Sequence, residues 1–324
     1  MNVLVTGAAG FLGRRIVAAL SGAGHRVRAL VRSPAAAAFP APAESIEVVA
    51  ADLGGPSDLA PALRGIEAVI HLAASMSGSH QARYAETVRS SARLFDAIDR
   101  SPVRRVLLCS SFAVYDWLQA HRVADETLPL KRGLPTRDYA GAKLWQERAA
   151  TERSAWRLTI LRPGFIWGGE GGIPRGCLGP KIGPLQLVVS PGRVLPLTYV
   201  LNCADAFRAA LENPRSIGEA VNIVDDAEIS AWEFAGRTRR GALRPARVPV
   251  PHALAWPAVR ALARLSKELG WSAQLPSMLA PERFAQVFRP LRFSTEKQAR
   301  VLGWRSPLSF RSALANEGLI PAAS

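Results

Sequence analysis

The sequence predicts an α/β fold: a doubly wound parallel sheet with a smaller, mostly helical C-terminal lobe. Three observations predict it. Apolar strand-like runs alternate with helical stretches through the first half of the 324 residues, the order that right-handed crossovers turn into a parallel sheet with helices on both faces. The runs are apolar throughout rather than alternating, as strands buried on both faces should be. After about residue 165, glycine and proline become frequent and the strand–helix rhythm stops.

In order, the expected strands are NVLVT (2–6), RVRALV (26–31), IEVVA (46–50), EAVIHL (67–72), RRVLLCS (104–110) and RLTILR (157–162). Helices are expected over 11–22, 84–100 and 139–154. Residues 168–192, GGEGGIPRGCLGPKIGPLQLVVSPG, read as a loop-rich lining. A helix (203–212) and a strand (219–224) return to the sheet. Residues 226–324 read as short helices punctuated by proline.

The first strand-to-helix junction carries Gly7, Gly10 and Gly13 as GxxGxxG. A lone glycine pattern says little. One that follows a strand and opens a helix has the context of a Rossmann dinucleotide-binding turn. Gly7 permits the tight turn, Gly10 lets the backbone approach a pyrophosphate, and Gly13 lets helix and strand pack closely. The helix N-terminus offers free N–H groups and a positive dipole end to the phosphates. The end of the second strand selects the cofactor. An acid there binds a ribose 2′-OH, whereas an arginine accommodates a 2′-phosphate. RALVRSP places Arg32 there with no acid beside it, so NADP(H) is expected over NAD(H). Stacking of Arg32 on the adenine would leave NAD(H) usable. The expected division is a dinucleotide-binding domain of 1–167, rejoined by 200–225, and a substrate lobe of 168–199 and 226–324.

Composition narrows the function classes. An apolar share of 48% is ample for a core. The opening MNVLVTG lacks the basic-then-apolar pattern of a signal peptide. Cys109, Cys177 and Cys203 have neither CxxC nor paired-histidine spacing, which argues against a disulfide framework and a structural zinc site. A reducing cytoplasm is the expected home. The net charge is +15, and only 5 of 41 basic residues are lysine. The arginines are spread singly, without the basic–aromatic alternation that grips single strands, so nucleic acid is not an expected partner. His71, His80 and His121 have no metal-like spacing, and no metal is expected.

RDYAGAKLW (137–145) places Tyr139 and Lys143 on one helix face, four residues apart. Alone, this spacing suits a surface pair as well as a proton-transfer pair. Other motifs decide between them. TGAAGFLG (6–13), ADL (51–53), HLAA (71–74), SSFAVY (110–115), YAGAK (139–143), LRPGFIWG (161–168) and LGW (302–304) resemble, in order, the motifs of the extended short-chain dehydrogenase/reductase family over essentially the whole chain. LPLTYVLNCADAFRAAL, VNIVDD and FRPLRFSTEKQARVLGWRSP look most like its bacterial 3β-hydroxysteroid-dehydrogenase-like branch.

The resemblance implies that Ser111, Tyr139 and Lys143 are catalytic. It implies cofactor contacts at Gly7, Ala9, Gly10, Phe11, Leu12 and Gly13, at Asp52 and Leu53, and at Leu72, Ala73 and Ala74; Arg32, read from the strand end, stands where the family has an acid. Further contacts are implied at Ser110, Tyr139, Lys143, Pro163, Gly164 and Ile166. A free tyrosine has a pKa near 10, which a lysine ammonium and the nicotinamide charge would lower. Asp116 stands where the family has glycine, which puts the substrate loop in question. Asn202 and Asp205 read as structural or rim residues, His71 as a buried residue near the cofactor, and nothing singles out Glu170.

The segment 252–271 sets Arg260, Arg264 and Lys267 largely opposite Leu262, Leu265 and Leu269. The favoured reading is a lobe helix packing its leucines on the substrate pocket; the alternative lies on an anionic membrane. The leading function is transfer of hydride between a nicotinamide cofactor and a ketone or secondary alcohol of a small metabolite. The alternatives are a nucleotide-sugar epimerase or dehydratase with retained NAD, and a non-catalytic dinucleotide sensor. Family members often pair helices from two subunits, so a homodimer is an open expectation.

Overall fold

A computed structural model describes the chain apart from residues 34–38, 40–42, 76–78, 133–137, 173, 239–245, 271–275 and 322–324. Seven strands form the main sheet: β1 (Asn2–Thr6), β2 (Arg26–Val31), β3 (Ile46–Ala50), β4 (Ala68–His71), β5 (Arg105–Cys109), β6 (Arg157–Pro163) and β7 (Ala220–Ile223). All pairings are parallel, in the order β7-β6-β5-β4-β1-β2-β3. The expected doubly wound sheet is present. The chain order reverses between β1 and β4, and in open α/β sheets ligands bind outside the carboxyl ends of strands at such a switch point.

Side chains of β1 alternate between two apolar layers. Val3 and Val5 meet helix α1 (Phe11–Gly22) through Ile16, Val17 and Leu20, together with Cys203 and Phe207 of a later helix, Val200–Glu212. Leu4 meets α2 (His80–Asp99) through Leu94, Phe95 and Ile98 on the other face, where Ala149 and Ala150 of α3 (Tyr139–Thr151) also pack. Each layer is apolar and buried, and truncating a residue such as Leu4 to alanine should cost about 2–5 kcal/mol.

Three local expectations change. Helix α2 begins at His80 rather than at residue 84, because the Ser79 hydroxyl accepts from the Ala82 N–H at 3.2 Å and caps it. Strand β3 is not buried on both faces: it is the sheet edge, with Val48 exposed and Glu47 paired to Arg28 at 2.7 Å. The lobe is not only loops and short helices. Leu185–Val189, from the glycine-rich stretch, pairs parallel with Ala246–Val250 and antiparallel with Lys181–Ile182. Neither short strand has a clear period-2 pattern, and each is completed by a partner distant in sequence.

The helix Val200–Glu212 is α4, and α5 (His252–Glu268) is a 17-residue helix that accommodates Pro257. It packs on α6 (Pro281–Phe288). The leucines do not pack inward as expected. Trp256, Val259 and Ser266 face the lobe, while Leu262, Leu265 and Leu269 are exposed. Among the described residues no helix is long and apolar enough to cross a membrane.

Candidate active site

The phosphate turn follows β1 directly. Gly7 has φ +69, a conformation that glycine adopts without strain. A methyl group there would press on the Ala73 backbone, at 3.0 Å from its nitrogen. A methyl on Gly13 would strike the carbonyl oxygens of Gly7 and Ala8. Helix α1 has no side-chain cap and no acid in its first turn, so its leading N–H groups, at Phe11, Leu12 and Gly13, face outward from the turn formed by Ala9 and Gly10. Leu72, Ala73 and Ala74 leave β4 on the other side of the switch point. These residues form a backbone turn whose free N–H groups suit an anion such as a pyrophosphate.

Two further positions frame the turn. Arg32 is exposed at the end of β2, and among the described residues no ion pair holds it. Asp52 is exposed, its Oδ1 accepting from the Gly54 N–H at 3.0 Å, while Leu53 beside it is buried. Glu170 lies at this end as well. It pairs with Arg14 of α1 at 3.1 Å, and Gly171 leaves room for the Phe11 ring. The glycine-rich loop therefore folds over the first turn of α1 rather than only lining a substrate space.

The proposed catalytic trio converges from two elements. Ser111 follows β5 and caps the turn Phe112–Val114, its hydroxyl accepting from the Ala113 N–H at 3.2 Å. Asp138 caps α3 through the Gly141 N–H at 2.8 Å, which starts that helix at Tyr139. Helix α3 packs on the Phe112–Val114 turn, which brings Tyr139 beside Ser111. Burial pushes the Tyr139 hydroxyl up to about 12, the buried Cys109 adds to the rise, and the Ser111 side chain opposes it. Tyr139 as a whole stays 41% exposed and is open to a ligand. Lys143 is buried and donates to the Cys109 carbonyl at 2.8 Å. Burial lowers its pKa, opposed by Cys109 and Glu147. In this arrangement Lys143 holds the strand end, not the tyrosine hydroxyl. Ser110 Oγ is buried with no partner among the described residues, a polar atom left available beside Ser111.

Pro163, Gly164 and Ile166 sit where β6 turns outward. The Gly164 N–H is taken by the Ile223 carbonyl at 3.0 Å, and a side chain there would strike Pro196. Ile166 pairs with Thr198 in a two-stranded ladder. Asp116 has φ −82, open to any residue, and caps Trp117–Gln119, so the missing glycine leaves the turn intact. Asn202 and Asp205 are structural as expected. Asn202 bonds both backbone groups of Leu308 and the Asp225 carboxylate, and Asp205 accepts from Trp304 Nε1 at 2.9 Å.

Sequence reasoning missed the polar network beneath the site. Arg162 of β6 forks onto Glu147 of α3 at 2.9 and 2.6 Å and donates to the Tyr115 hydroxyl at 3.0 Å. Tyr115 donates in turn to Asn222 at 2.7 Å. The motif LRPG contained Arg162, and an arginine inside a buried strand was the available signal. His71 is buried between Thr6 (2.7 Å) and Ser91 (3.0 Å). Burial, then Lys143, pushes it down to about 3, so it is neutral. Among the described residues no cluster of His, Cys, Asp or Glu is placed to hold a metal ion. A cavity of about 680 Å³ beside Ser57, Arg93 and Arg100 contains none of these site residues.

A parallel sheet with a glycine turn at its switch point defines a dinucleotide-binding enzyme of the Rossmann class. More narrowly, the chain belongs to the NAD-dependent epimerase/dehydratase family, whose model matches residues 3–224. It is 30% identical to a 3β-hydroxysteroid dehydrogenase/Δ5→4-isomerase of Mycobacterium tuberculosis, over 97% of this chain and 88% of that one. It is 28% identical to a 4-hydroxy-2-methyl-3-oxo-4-farnesyl-3,4-dihydroquinoline-1-oxide ketoreductase of Stigmatella aurantiaca, over 97% of this chain and 95% of that one. Among solved structures it shares its fold with MoeE5 in complex with UDP-glucose and NAD, at a TM-score of 0.67 and 24% identity, covering 98% of this chain and 97% of that one.

Proposed function

We propose that this enzyme is an NADP(H)-preferring dehydrogenase or reductase acting on a ketone or secondary alcohol of an apolar metabolite, with Ser111, Tyr139 and Lys143 as its working set. The observation that carries the reading is the packing of the helix that starts at Tyr139 on the turn that Ser111 caps, at the strand end that Lys143 braces. A substrate oxygen placed between the two hydroxyls would accept from both. When bound, the nicotinamide supplies a hydride to the carbonyl carbon or takes one from the alcohol. Tyr139, kept protonated by burial, gives its proton to the carbonyl oxygen in reduction, and the reverse applies in oxidation. Ser111 orients that oxygen. Lys143 fixes the Cys109 carbonyl and with it the turn that carries Ser111. Support for an apolar substrate comes from the names of the two relatives, one acting on a steroid and one on a farnesylated quinoline.

Arg32 supports NADP(H). A charge-assisted phosphate contact contributes about 1.5–3 kcal/mol, so Arg32→Ala should weaken NADPH roughly 10- to 100-fold and NADH little. Equal losses would overturn that preference. The chemistry is tested by Tyr139→Phe: turnover of a carbonyl panel should collapse with cofactor affinity unchanged, and retained turnover would remove Tyr139 as the acid. Denaturing the purified protein and identifying released dinucleotide by mass spectrometry separates the alternative. Near-stoichiometric NAD(H) would favour an epimerase or dehydratase, which returns its hydride within one cycle.

A further inference from the structure

Helix α5 carries three faces rather than two. Its inner face, with Trp256, Val259 and Ser266, packs into the lobe. Leu254, Ala258, Ala261, Leu262, Leu265 and Leu269 recur at helical spacing along a second face, and all are exposed, Leu254 by 69% and Leu265 by 51%. The third face holds Arg260, Arg264 and Lys267, with Glu268 as the single acid of the helix. Scattered surface leucines need no explanation, but a contiguous stripe along one helix marks an interaction surface.

We propose that α5 is a docking face for an anionic lipid bilayer, lying in the interface plane with the leucine stripe in the acyl boundary. Charge decides the occupant. A second copy laid on this face would bring two sets of Arg260, Arg264 and Lys267 together on chains that each carry +15, whereas an anionic headgroup layer complements them. Lysine and arginine can bury their stems along the leucines and keep their charges at the headgroups. The inner face gives the docking a use. Trp256 packs against both the cluster of Phe112 and Trp117, beside the Ser111 turn, and the cluster of Phe284 and Phe288. One helix thus joins the bilayer side to the wall of the candidate site. The docking itself does not depend on the proposed chemistry.

The test is flotation of the full chain with phosphatidylglycerol–phosphatidylcholine vesicles and with pure phosphatidylcholine vesicles. The chain should float with the anionic vesicles, and less so as salt rises. Leu262→Ser/Leu265→Ser should lower the partition coefficient at least ~10-fold by removing buried apolar area. Arg264→Glu/Lys267→Glu should abolish the preference for anionic lipid. All four positions are exposed, so both variants should keep the wild-type circular dichroism and turnover of a water-soluble substrate. Failure of the wild type to float would overturn the proposal. So would leucine variants that float unchanged, which would mean diffuse adsorption through dispersed arginines. A dimer in sedimentation that the leucine variant splits would assign the face to a second copy instead. The dehydrogenase reading falls on Tyr139→Phe or on retained NAD(H), neither of which touches flotation, so the two failures are distinguishable.

Discussion

Helices α3 and α5 invert each other. Helix α3 buries Lys143, Gln146 and Glu147, whereas α5 exposes four leucines counting its C-cap. Neither follows the simple rule of apolar inside and charged outside, and each exception has a physical reason. The charges of α3 are tolerated because every one has partners: Glu147 takes the Arg162 fork, and Lys143 donates to a carbonyl. An unpaired buried charge would cost several kcal/mol. The leucines of α5 cost little when exposed singly, but as a stripe they gain only from a ligand. Buried polar groups thus lie beneath the candidate site, and exposed apolar groups form the proposed docking face.

Predictions that break or sharpen this contrast fall in a clear order. The largest effect belongs to Tyr139→Phe, which should cost about 10²–10⁴ in turnover, the range of general acid catalysis, with little change in stability. Next is Glu147→Ala. It strands the Arg162 guanidinium among buried groups and should destabilise by about 3–5 kcal/mol in urea unfolding, whereas Glu147→Met with Arg162→Met should recover much of the loss. A wild-type-like midpoint for the single variant would mean that the pair is not buried in solution.

A smaller effect is expected at Asp225, whose carboxyl burial pushes up to about 7 against hydrogen bonds from Asn202 and the Tyr199 N–H. The folded protein then holds a proton there that the unfolded chain, with the ordinary carboxylate pKa, has released. Stability from this group is complete below about pH 4 and is lost as pH rises towards about 7. The gap between wild type and Asp225→Asn should therefore shift in favour of the variant over that window, by on the order of 1–4 kcal/mol; a gap flat in pH would refute the shift. The smallest effect is Leu265→Ser on stability alone. It should move the unfolding midpoint by less than about 0.5 kcal/mol, since this side chain packs on nothing that folding needs.

The glycine turn and the buried strands were legible because their causes are local. Gly7 and Gly13 answer to the backbone within one turn, and a strand buried on both faces reads as an apolar run wherever its partners lie. The edge position of β3 was not legible, because IEVVA does not say whether a neighbour covers it. The pairing of Leu185–Val189 with Ala246–Val250 was hidden for the same reason, its two halves being about 60 residues apart in the sequence. Tyr139 and Lys143 could be picked out by motif, but the brace of Lys143 on Cys109 depends on where β5 ends in space.

The sequence by itself determined the fold class, the dinucleotide turn and the residue types of the candidate trio. The first two rest on period, spacing or backbone freedom within a few turns of chain, and the trio on the resemblance of its motifs to those of a family. Tertiary structure alone decided which charges α3 could bury and which face α5 left bare. Burial is a property of neighbours, and the neighbours of Glu147 and Leu265 are set by the packing of distant segments.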